Sequence, residues 1–179
     1  MKFYIVNDAY IQHLKKADEK VRENKSTRPY VGVVFEIDGI EFLAPLTSHK
    51  PKHDKIPANF PLIFKMHEVG NEDNKLGMVQ LNNMIPVLDT EKVLLDIAAQ
   101  SDKYRTLLNL QQQFLRKHKE ALQKKAKKLY RIVSAGKAKG LISTCCDFHV
   151  LEQAMRDFEP KQTPSVSQEK LEALAAKFS

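Results

Sequence analysis

A cluster of hydroxyl, imidazole and ammonium side chains directly follows a predicted strand that ends at Leu46. Seven such residues fall within nine positions: Thr47, Ser48, His49, Lys50, Lys52, His53 and Lys55. Hydroxyl and ammonium groups can bind the oxygens of a phosphodiester, and an imidazole can carry a proton near neutral pH. These residue types at this spacing therefore favour a site that binds a phosphodiester and moves protons around it.

Cleavage of RNA without a metal ion is the reaction that fits the cluster best. RNA supplies its own nucleophile, the 2′-hydroxyl, so the protein needs only to position it, transfer protons and stabilise charge. Thr47 and Ser48 could hydrogen-bond the phosphate oxygens. Lys50 or Arg28 could neutralise the pentacoordinate anion formed on attack, and His53 could carry a proton. An ordinary polar junction between a strand and a loop explains the same residues about equally well at this point.

Other chemistries find less support in the sequence. His49 and His53 have the spacing of a metal-binding pair, but Pro51 lies between them and the adjacent lysines would repel a divalent cation. There is no GxxxxGK[ST] or GxGxxG loop for a nucleotide and no GxSxG turn for a hydrolase nucleophile. We therefore predict no metal and no cofactor.

The cysteines and the apolar runs favour a cytoplasmic protein. Cys145 and Cys146 are adjacent, which is poor geometry for a disulfide and gives no zinc-site spacing, so a reducing compartment fits. No apolar run approaches the roughly 20 residues that span a bilayer. The short apolar run at the N-terminus, which ends before Asn7, is too short for the core of a signal peptide.

The elements that must position the cluster begin with a hairpin. Residues 30–37 and 40–46 are predicted strands, and Asp38-Gly39 between them is the strongest short-range signal for a hairpin turn. Further strands are predicted at 2–6, 62–67, 76–81 and 85–88, with a polar turn at 70–75. A helix is predicted at 9–21, capped by Asn7 or Asp8. We therefore predict an α+β fold whose first half is a curved antiparallel sheet.

The second half is predicted to be helical. Thr90 and Ser101 are N-cap candidates for helices at 91–99 and 102–134, and a further helix is predicted at 148–158. On the long helix one stripe is apolar: Tyr104, Leu108, Leu115, Leu122, Ala126, Leu129 and Val133. The opposite face carries six cations: Arg116, Lys117, Lys124, Lys127, Lys128 and Arg131. We expect residues 1–159 to form one domain, with 160–179 as a linker and C-terminal helix packed on it.

The positive charge of the chain is concentrated in one segment. The 179 residues carry a net charge of +7. Between Arg116 and Lys139, ten Lys or Arg residues oppose the single acid Glu120, a net of +9 that leaves −2 for the rest of the chain. A local field of this kind is typical of a surface that binds a polyanion. A merely solvated helix face is the alternative, which the confinement of the whole excess to one segment disfavours.

Several stretches carry motifs more specific than composition. The run RPYVGVVFEIDGIEFLAPLTSHKPKH combines G-x-V-x-E-I-x-G with L-A-P-L-T-S, and FKMHEVGNEDNKLGMVQLNNMIPV contains L-G-x-x-x-L-x-x-M-I-P. With MKFYIV at the start and TCCDFHVLEQAMRDF near the end, these stretches cover most of residues 1–158. In this order they resemble the ToxN/AbiQ family (with its CptN/TenpN-like relatives), the endoribonuclease toxins of type III toxin–antitoxin and phage-abortive systems.

The resemblance implies a strongly curved antiparallel sheet, similar to the Kid/MazF barrel, surrounded by helices. It also implies a metal-independent endoribonuclease that leaves 2′,3′-cyclic phosphate and 5′-hydroxyl ends. The family's active site matches Thr47, Ser48 and Lys50, and a basic position that is lysine in relatives matches Arg28. Because a guanidinium stays protonated, Arg28 suits phosphate binding better than proton donation. A family tyrosine has no counterpart, since Asn24 stands at its position.

The resemblance implies two RNA partners. One is a cognate antitoxin RNA of pseudoknot repeats, which inhibits the toxin and joins it in a closed hetero-oligomeric assembly; the other is a cellular or phage RNA substrate. The cations expected to contact RNA are Lys52, Lys55, Arg116, Lys117, Lys124, Lys127, Lys128 and Arg131. A broad cationic helix suits folded RNA, which is recognised by shape and phosphates. The alternative is a non-catalytic RNA-binding or ribosome-associated protein.

Overall fold

The computed structural model describes residues 1–23, 31–136 and 139–159. Its strands are β1 (Phe3–Val6), β2 (Val31–Ile37), β3 (Ile40–Thr47), β4 (Ile63–Glu68), β5 (Asn71–Gln80), β6 (Ile85–Pro86) and β7 (Lys92–Leu94). Its helices are α1 (Asp8–Ala17), α2 (Asp102–Lys117), α3 (Lys119–Ser134), α4 (Lys139–Ile142) and α5 (Phe148–Arg156). Arg28, Asn24 and the predicted linker and helix at 160–179 lie outside the described residues.

The predicted hairpin is confirmed. Strands β2 and β3 pair in antiparallel register from Gly32 opposite Pro45 to Ile37 opposite Ile40. Asp38 and Gly39, which join them, have φ angles of 49° and 85°. Positive φ at both central residues is the signature of the tight turn that matches the twist of paired strands. The Asp-Gly dipeptide therefore fixes the register of the strand that leads to the polar cluster.

The strands form one seven-stranded antiparallel sheet in the order β4-β5-β3-β2-β1-β7, with β6 paired to β3. The α+β class and the antiparallel sheet agree with the prediction. Among the described residues the sheet is not closed, because β4 and β7 each have a single neighbour in this order. The predicted barrel form is not confirmed.

One hydrophobic core joins the sheet to the helices. Most of the apolar stripe predicted for the second half is buried, with Leu108 and Leu115 on α2 and Leu122, Ala126 and Leu129 on α3, whereas Tyr104 is half-buried. Their spacing places them on one face of each helix. They share the core with the sheet residues Phe3, Val33, Phe42 and Leu43. None of the helices in the described ranges has the length and apolar character needed to cross a bilayer.

Both cysteines are buried as free thiols in this core. Burial raises the pKa of Cys145 to about 11. Burial and the nearby Asp18 carboxylate raise the pKa of Cys146 to about 12. The two thiols are therefore protonated and enclosed at neutral pH.

Three predicted elements are wrong. The helix predicted at 102–134 is two helices, interrupted at His118, which has φ −109° and ψ 21°. The helix predicted at 91–99 is a 3₁₀ turn, Asp89–Glu91, followed by β7, because this segment pairs with β1. The polar turn predicted at 70–75 is largely the start of β5, whose first five residues are exposed. The short helix α4 was not predicted.

Candidate active site

The hydroxyl pair stands where β3 leaves the sheet. Thr47 is the last residue of β3 and pairs with Met78 of β5, which in turn pairs with Lys65 of β4. Residues directly opposite one another on neighbouring strands project to the same face. Thr47, Met78 and Lys65 therefore form a row on one face of the sheet, and Ser48 follows at the edge of that row, exposed to solvent.

Gly77 lets two backbones touch behind this hydroxyl pair. Its φ is 116°, a conformation that residues with a Cβ rarely adopt. A Cβ added to Gly77 would lie 2.0 Å from the carbonyl oxygen of Thr47 and 3.0 Å from the amide nitrogen of His49. The course of the chain through the cluster is therefore set by direct backbone packing against β5. Gly77 was not among the predicted site residues, although a glycine within a strand signals a close backbone approach.

Lys50 begins a 3₁₀ turn, Pro51–Lys55, that folds the cluster back on itself. The backbone N–H of His53 donates to the carbonyl oxygen of Lys50 at 2.8 Å. The backbone N–H of Lys50 in turn donates to Nδ1 of His53 at 3.2 Å. This pair of hydrogen bonds closes the turn between Lys50 and His53, which directly follows Thr47 and Ser48 in the chain. The exposed ammonium groups of Lys50 and Lys52 project from it.

His53 favours its neutral form. The residue is only 8% exposed, and burial lowers the pKa of its imidazole. The positive groups His49, Lys52, Lys50 and Lys65 lower the pKa further. Since Nδ1 accepts the N–H of Lys50, the hydrogen-bond network assigns the ring proton to Nε2. In this tautomer Nδ1 holds Lys50 as a hydrogen-bond acceptor and Nε2 is a donor, so the ring has no free lone pair for proton abstraction.

Asp54 balances part of this positive charge. Its Oδ1 lies 2.9 Å from Nε2 of His49 and accepts a hydrogen bond from Nζ of Lys75 at 3.0 Å. The hydrogen bonds from His49 and Lys75 lower the pKa of the Asp54 carboxyl to about 2. Asp54 thus ties the turn to β5. Lys65 and Lys75 were not predicted at the site, because only the pairing register of the sheet brings β4 and β5 beside it. Asp54 was not predicted either, although it lies within the turn itself.

The predicted cations of the second half surround a groove along α3. Lys124, Lys127, Lys128 and Arg131 line it beside Ile132 and Ala135; we call these four cations the basic helix surface. Nζ of Lys127 lies 2.7 Å from Oδ1 of Asp38 at the hairpin turn. Arg116 and Lys117 are also exposed but belong to the last turn of α2. Among the described residues, no three His, Cys, Asp or Glu side chains group as metal ligands would.

Comparison with known proteins identifies relatives across nearly the whole chain. A family model described as the toxin ToxN of type III toxin–antitoxin systems matches residues 2–156. Endoribonuclease ToxN of Pectobacterium atrosepticum is 36% identical over 88% of this chain and 94% of its own length. Endoribonuclease ToxN of Bacillus thuringiensis subsp. kurstaki is 33% identical over 89% of this chain and 85% of its own. Endoribonuclease AbiQ of Lactococcus lactis subsp. lactis is 30% identical over 91% of this chain and 92% of its own length.

Solved structures agree with these sequence relatives. A protein of a bacterial antiviral system regulated by a processed non-coding RNA superposes with a TM-score of 0.82, at 35% identity over 89% of this chain and 100% of that chain. A type III toxin selectively inhibited by a non-coding RNA pseudoknot superposes with a TM-score of 0.74. It is 32% identical over 87% of this chain and 96% of that chain. AbiQ, a lactococcal anti-phage endoribonuclease, superposes with a TM-score of 0.78. It is 29% identical over 87% of this chain and 95% of that chain. The chain belongs to the ToxN family of type III toxin–antitoxin toxins.

Proposed function

We propose that this protein is an endoribonuclease toxin of a type III toxin–antitoxin system, active against phage and inhibited by a non-coding RNA. Relatives that are 30–36% identical over most of both chains are named endoribonucleases. The observation that carries the proposal is the junction between the end of β3 and the turn after it, where the segment with two hydroxyls and an ammonium group packs on the backbone of Gly77 and is hydrogen-bonded to His53. Such a turn is suited to binding one phosphodiester group.

In the proposed reaction, the 2′-oxygen of the RNA attacks the adjacent phosphorus. The O2′–P bond forms as the P–O5′ bond breaks, which gives a 2′,3′-cyclic phosphate and a 5′-hydroxyl. The attacking hydroxyl loses one proton and the departing O5′ gains one, so no external oxidant or nucleophile is needed. Thr47 and Ser48 orient the phosphate through hydrogen bonds, and Lys50 stabilises the charge that develops on its oxygens.

Two predicted participants complete this centre. Arg28 supplies a second cation for the phosphate, as its match to the family's basic position implies. His53 acts through its hydrogen bond with Lys50, which keeps the ammonium-bearing residue in the turn. We expect neither a metal nor a cofactor to take part.

The proposed inhibitor is an RNA of pseudoknot repeats held by the basic helix surface, with Arg116, Lys117, Lys52 and Lys55 as further contacts. The solved neighbour inhibited by an RNA pseudoknot supports this partner. Closure of toxin and RNA into a hetero-oligomeric assembly remains a prediction. The same holds for the Kid/MazF-like form of the sheet, for the cytoplasmic location and for a domain boundary at residue 159.

Replacement of Ser48 by alanine tests the proposed centre. We expect the Ser48→Ala protein to cleave RNA on the order of 10² to 10³ times more slowly, because one donor to the developing anion is lost. The measurement is the rate of cleavage of a labelled RNA, with the chemical form of the new ends determined by mass spectrometry. Parental cleavage should persist in excess chelator.

The matched control is Ser101→Ala, because Ser101 is exposed at the start of α2 and its side chain makes no capping hydrogen bond. Cleavage by Ser48→Ala at the parental rate would refute the assigned centre. RNA binding without any cyclic-phosphate fragment from the parent protein would favour the non-catalytic alternative.

A further inference from the structure

A groove adjoins the proposed centre on the same face of the sheet. It has a volume of about 360 Å³ and lies between the turn and strands β4 and β5. Its walls include Lys52, His53, Phe60, Ile63, Met78 and Gln80. Met78 is the residue that pairs with Thr47, and Gln80 pairs with Ile63. The groove therefore begins at the strand neighbour of Thr47 and runs along β5 away from it.

The walls of this groove differ in chemical character. Ile63 and Met78 form a buried apolar floor, only 5% and 4% exposed. Phe60 is 36% exposed at the rim, one of the few large apolar side chains so exposed among the described residues. Gln80 is half-buried, and its side-chain amide has no hydrogen-bond partner within the described part of the chain. The exposed ammonium group of Lys52 stands at the same rim.

We propose that the groove binds one unpaired nucleobase of the RNA next to the scissile phosphate, and that Gln80 reads its edge. This inference rests on the proposed function and adds a determinant of the cleavage sequence to it. An aromatic ring at the rim can stack on a base, and single-stranded RNA is recognised by such stacking together with hydrogen bonds to base edges. A glutamine amide offers a donor and an acceptor side by side, which a base can match with two hydrogen bonds.

The charges around the groove favour RNA over a protein segment as its occupant. Lys52 lines the groove and Lys65 stands in the adjoining row, and both, together with Lys50, are close enough to lower the pKa of His53. A cationic rim beside an apolar floor suits a base whose own backbone phosphates lie at the rim. The volume falls within the range of about 300–1,000 Å³ that small-ligand sites occupy.

Replacement of Gln80 tests the reading of the base. Purified parent, Gln80→Ala and Gln80→Glu proteins would cleave a pool of short RNAs of random sequence, and the new 5′-hydroxyl ends would be sequenced. We expect Gln80→Ala to reduce the preference at one nucleotide position by roughly 5- to 100-fold, the discrimination that a lost bidentate contact represents. Gln80→Glu should change which base is preferred, because an acceptor replaces the amide donor.

Replacement of Phe60 tests the stacking. We expect Phe60→Ala to lower kcat/KM for all sequences by roughly 5- to 100-fold, while Phe60→Tyr stays near the parent. Gln113→Ala, an exposed change on α2, is the matched control for the Gln80 variants and should keep the parental preference. Thermal unfolding of every variant identifies any that does not fold.

The outcomes separate this inference from the function on which it rests. If the parent cleaves RNA and both Gln80 variants keep its sequence preference, the inference is wrong while the proposed function stands. If Gln80→Ala fails to fold, the nearly isosteric Gln80→Glu decides alone, and an unchanged preference overturns the inference. If the parent does not cleave RNA at all, the proposed function itself fails.

Discussion

At the scale of single residues, His53 shows how position constrains chemistry. The sequence places an imidazole close to two hydroxyls, which invites a role as a proton carrier. The structure places its Nδ1 against the backbone N–H of Lys50 and surrounds it with positive charge. A buried ring that already accepts a hydrogen bond is better suited to positioning Lys50 than to abstracting a proton. That distinction can be tested with one substitution.

We expect His53→Asn to retain cleavage within a few-fold of the parent, because the asparagine carbonyl can accept the same N–H of Lys50. The substitution should also change how stability depends on pH. Because the pKa of His53 is lower in the folded protein than the ordinary 6.5, the unfolded chain takes up a proton first as the pH falls. His53 therefore makes the parent lose stability below about pH 6.5, and His53→Asn removes this contribution.

The measurements are urea unfolding from pH 5 to 8 and cleavage rates over the same range. His53→Ala is the comparison, since it removes the acceptor and should cleave on the order of tenfold more slowly than His53→Asn, the effect of one lost hydrogen bond of about 1.4 kcal/mol. An asparagine variant as inactive as Ser48→Ala would instead indicate that His53 carries a proton in the reaction.

At the scale of elements, strand β5 does more than complete the sheet. Its polar first half is exposed, and its apolar second half pairs with both β3 and β4. At Gly77 it packs against the backbone of the hydroxyl pair without an intervening side chain. The geometry of the proposed centre therefore depends on a strand that carries none of the predicted catalytic groups.

We expect Gly77→Ala to lower the free energy of unfolding by at least ~2 kcal/mol, because it adds backbone strain and a clash with the Thr47 carbonyl. Cleavage should fall even in the folded fraction, since the hydroxyl pair must shift. Urea titration and single-turnover cleavage measure the two effects. The control is Gly140→Ala, where a Cβ meets nothing within 4 Å; we expect a change there of less than ~1 kcal/mol. Equal stability of the two variants would contradict the tight packing at Gly77.

Local sequence signals were sufficient for some elements and insufficient for others. The Asp38-Gly39 turn is dictated by its own two residues, so the hairpin could be predicted with its register. The break at His118 could not, because no glycine or proline marks it and the apolar stripe runs through it. At this break the imidazole ring of His118 packs on the ring of Phe114, with the ring centroids 4.3 Å apart. Strand β7 likewise depends on pairing with β1, a contact that no local pattern encodes.

At the scale of the whole molecule, positive charge is concentrated in two places, the proposed centre after β3 and the basic helix surface on α3. The hydroxyl pair could be predicted because its residues are consecutive, whereas Lys65, Lys75 and Gln80 come to the site only through the sheet. The basic helix surface was predicted from the charge of one segment, and its cations are exposed or half-exposed as expected. Lys127 differs from the prediction of a purely cationic face, because its ammonium group forms an ion pair with Asp38.

We expect the affinity for RNA to fall steeply as the salt concentration rises. The fall should be less steep when cations of the basic helix surface are replaced by neutral residues. Each phosphate contact contributes about 0.7 to 0.9 to the slope of log affinity against log salt concentration. The triple variant Lys124→Gln, Lys128→Gln, Arg131→Gln should therefore have a slope shallower by about 2. The measurement is equilibrium binding of a folded RNA by Ser48→Ala protein, which avoids cleavage, at several salt concentrations.

The control removes the same charge elsewhere, by Lys2→Gln, Lys16→Gln and Lys103→Gln at exposed positions. If its slope falls as much as that of the triple variant on α3, net charge alone governs binding and the basic helix surface has no special role.

The enclosure of both thiols has a practical consequence for such binding experiments. Cys145 and Cys146 are the two cysteines of the chain, and their burial, which also raises their pKa values to about 11 and 12, makes them poor targets for maleimides in the folded state. A cysteine introduced on the exposed side of α2, such as Gln113→Cys, would be the fast-reacting thiol. A fluorophore can thus be attached at one chosen place while the native pair is left intact.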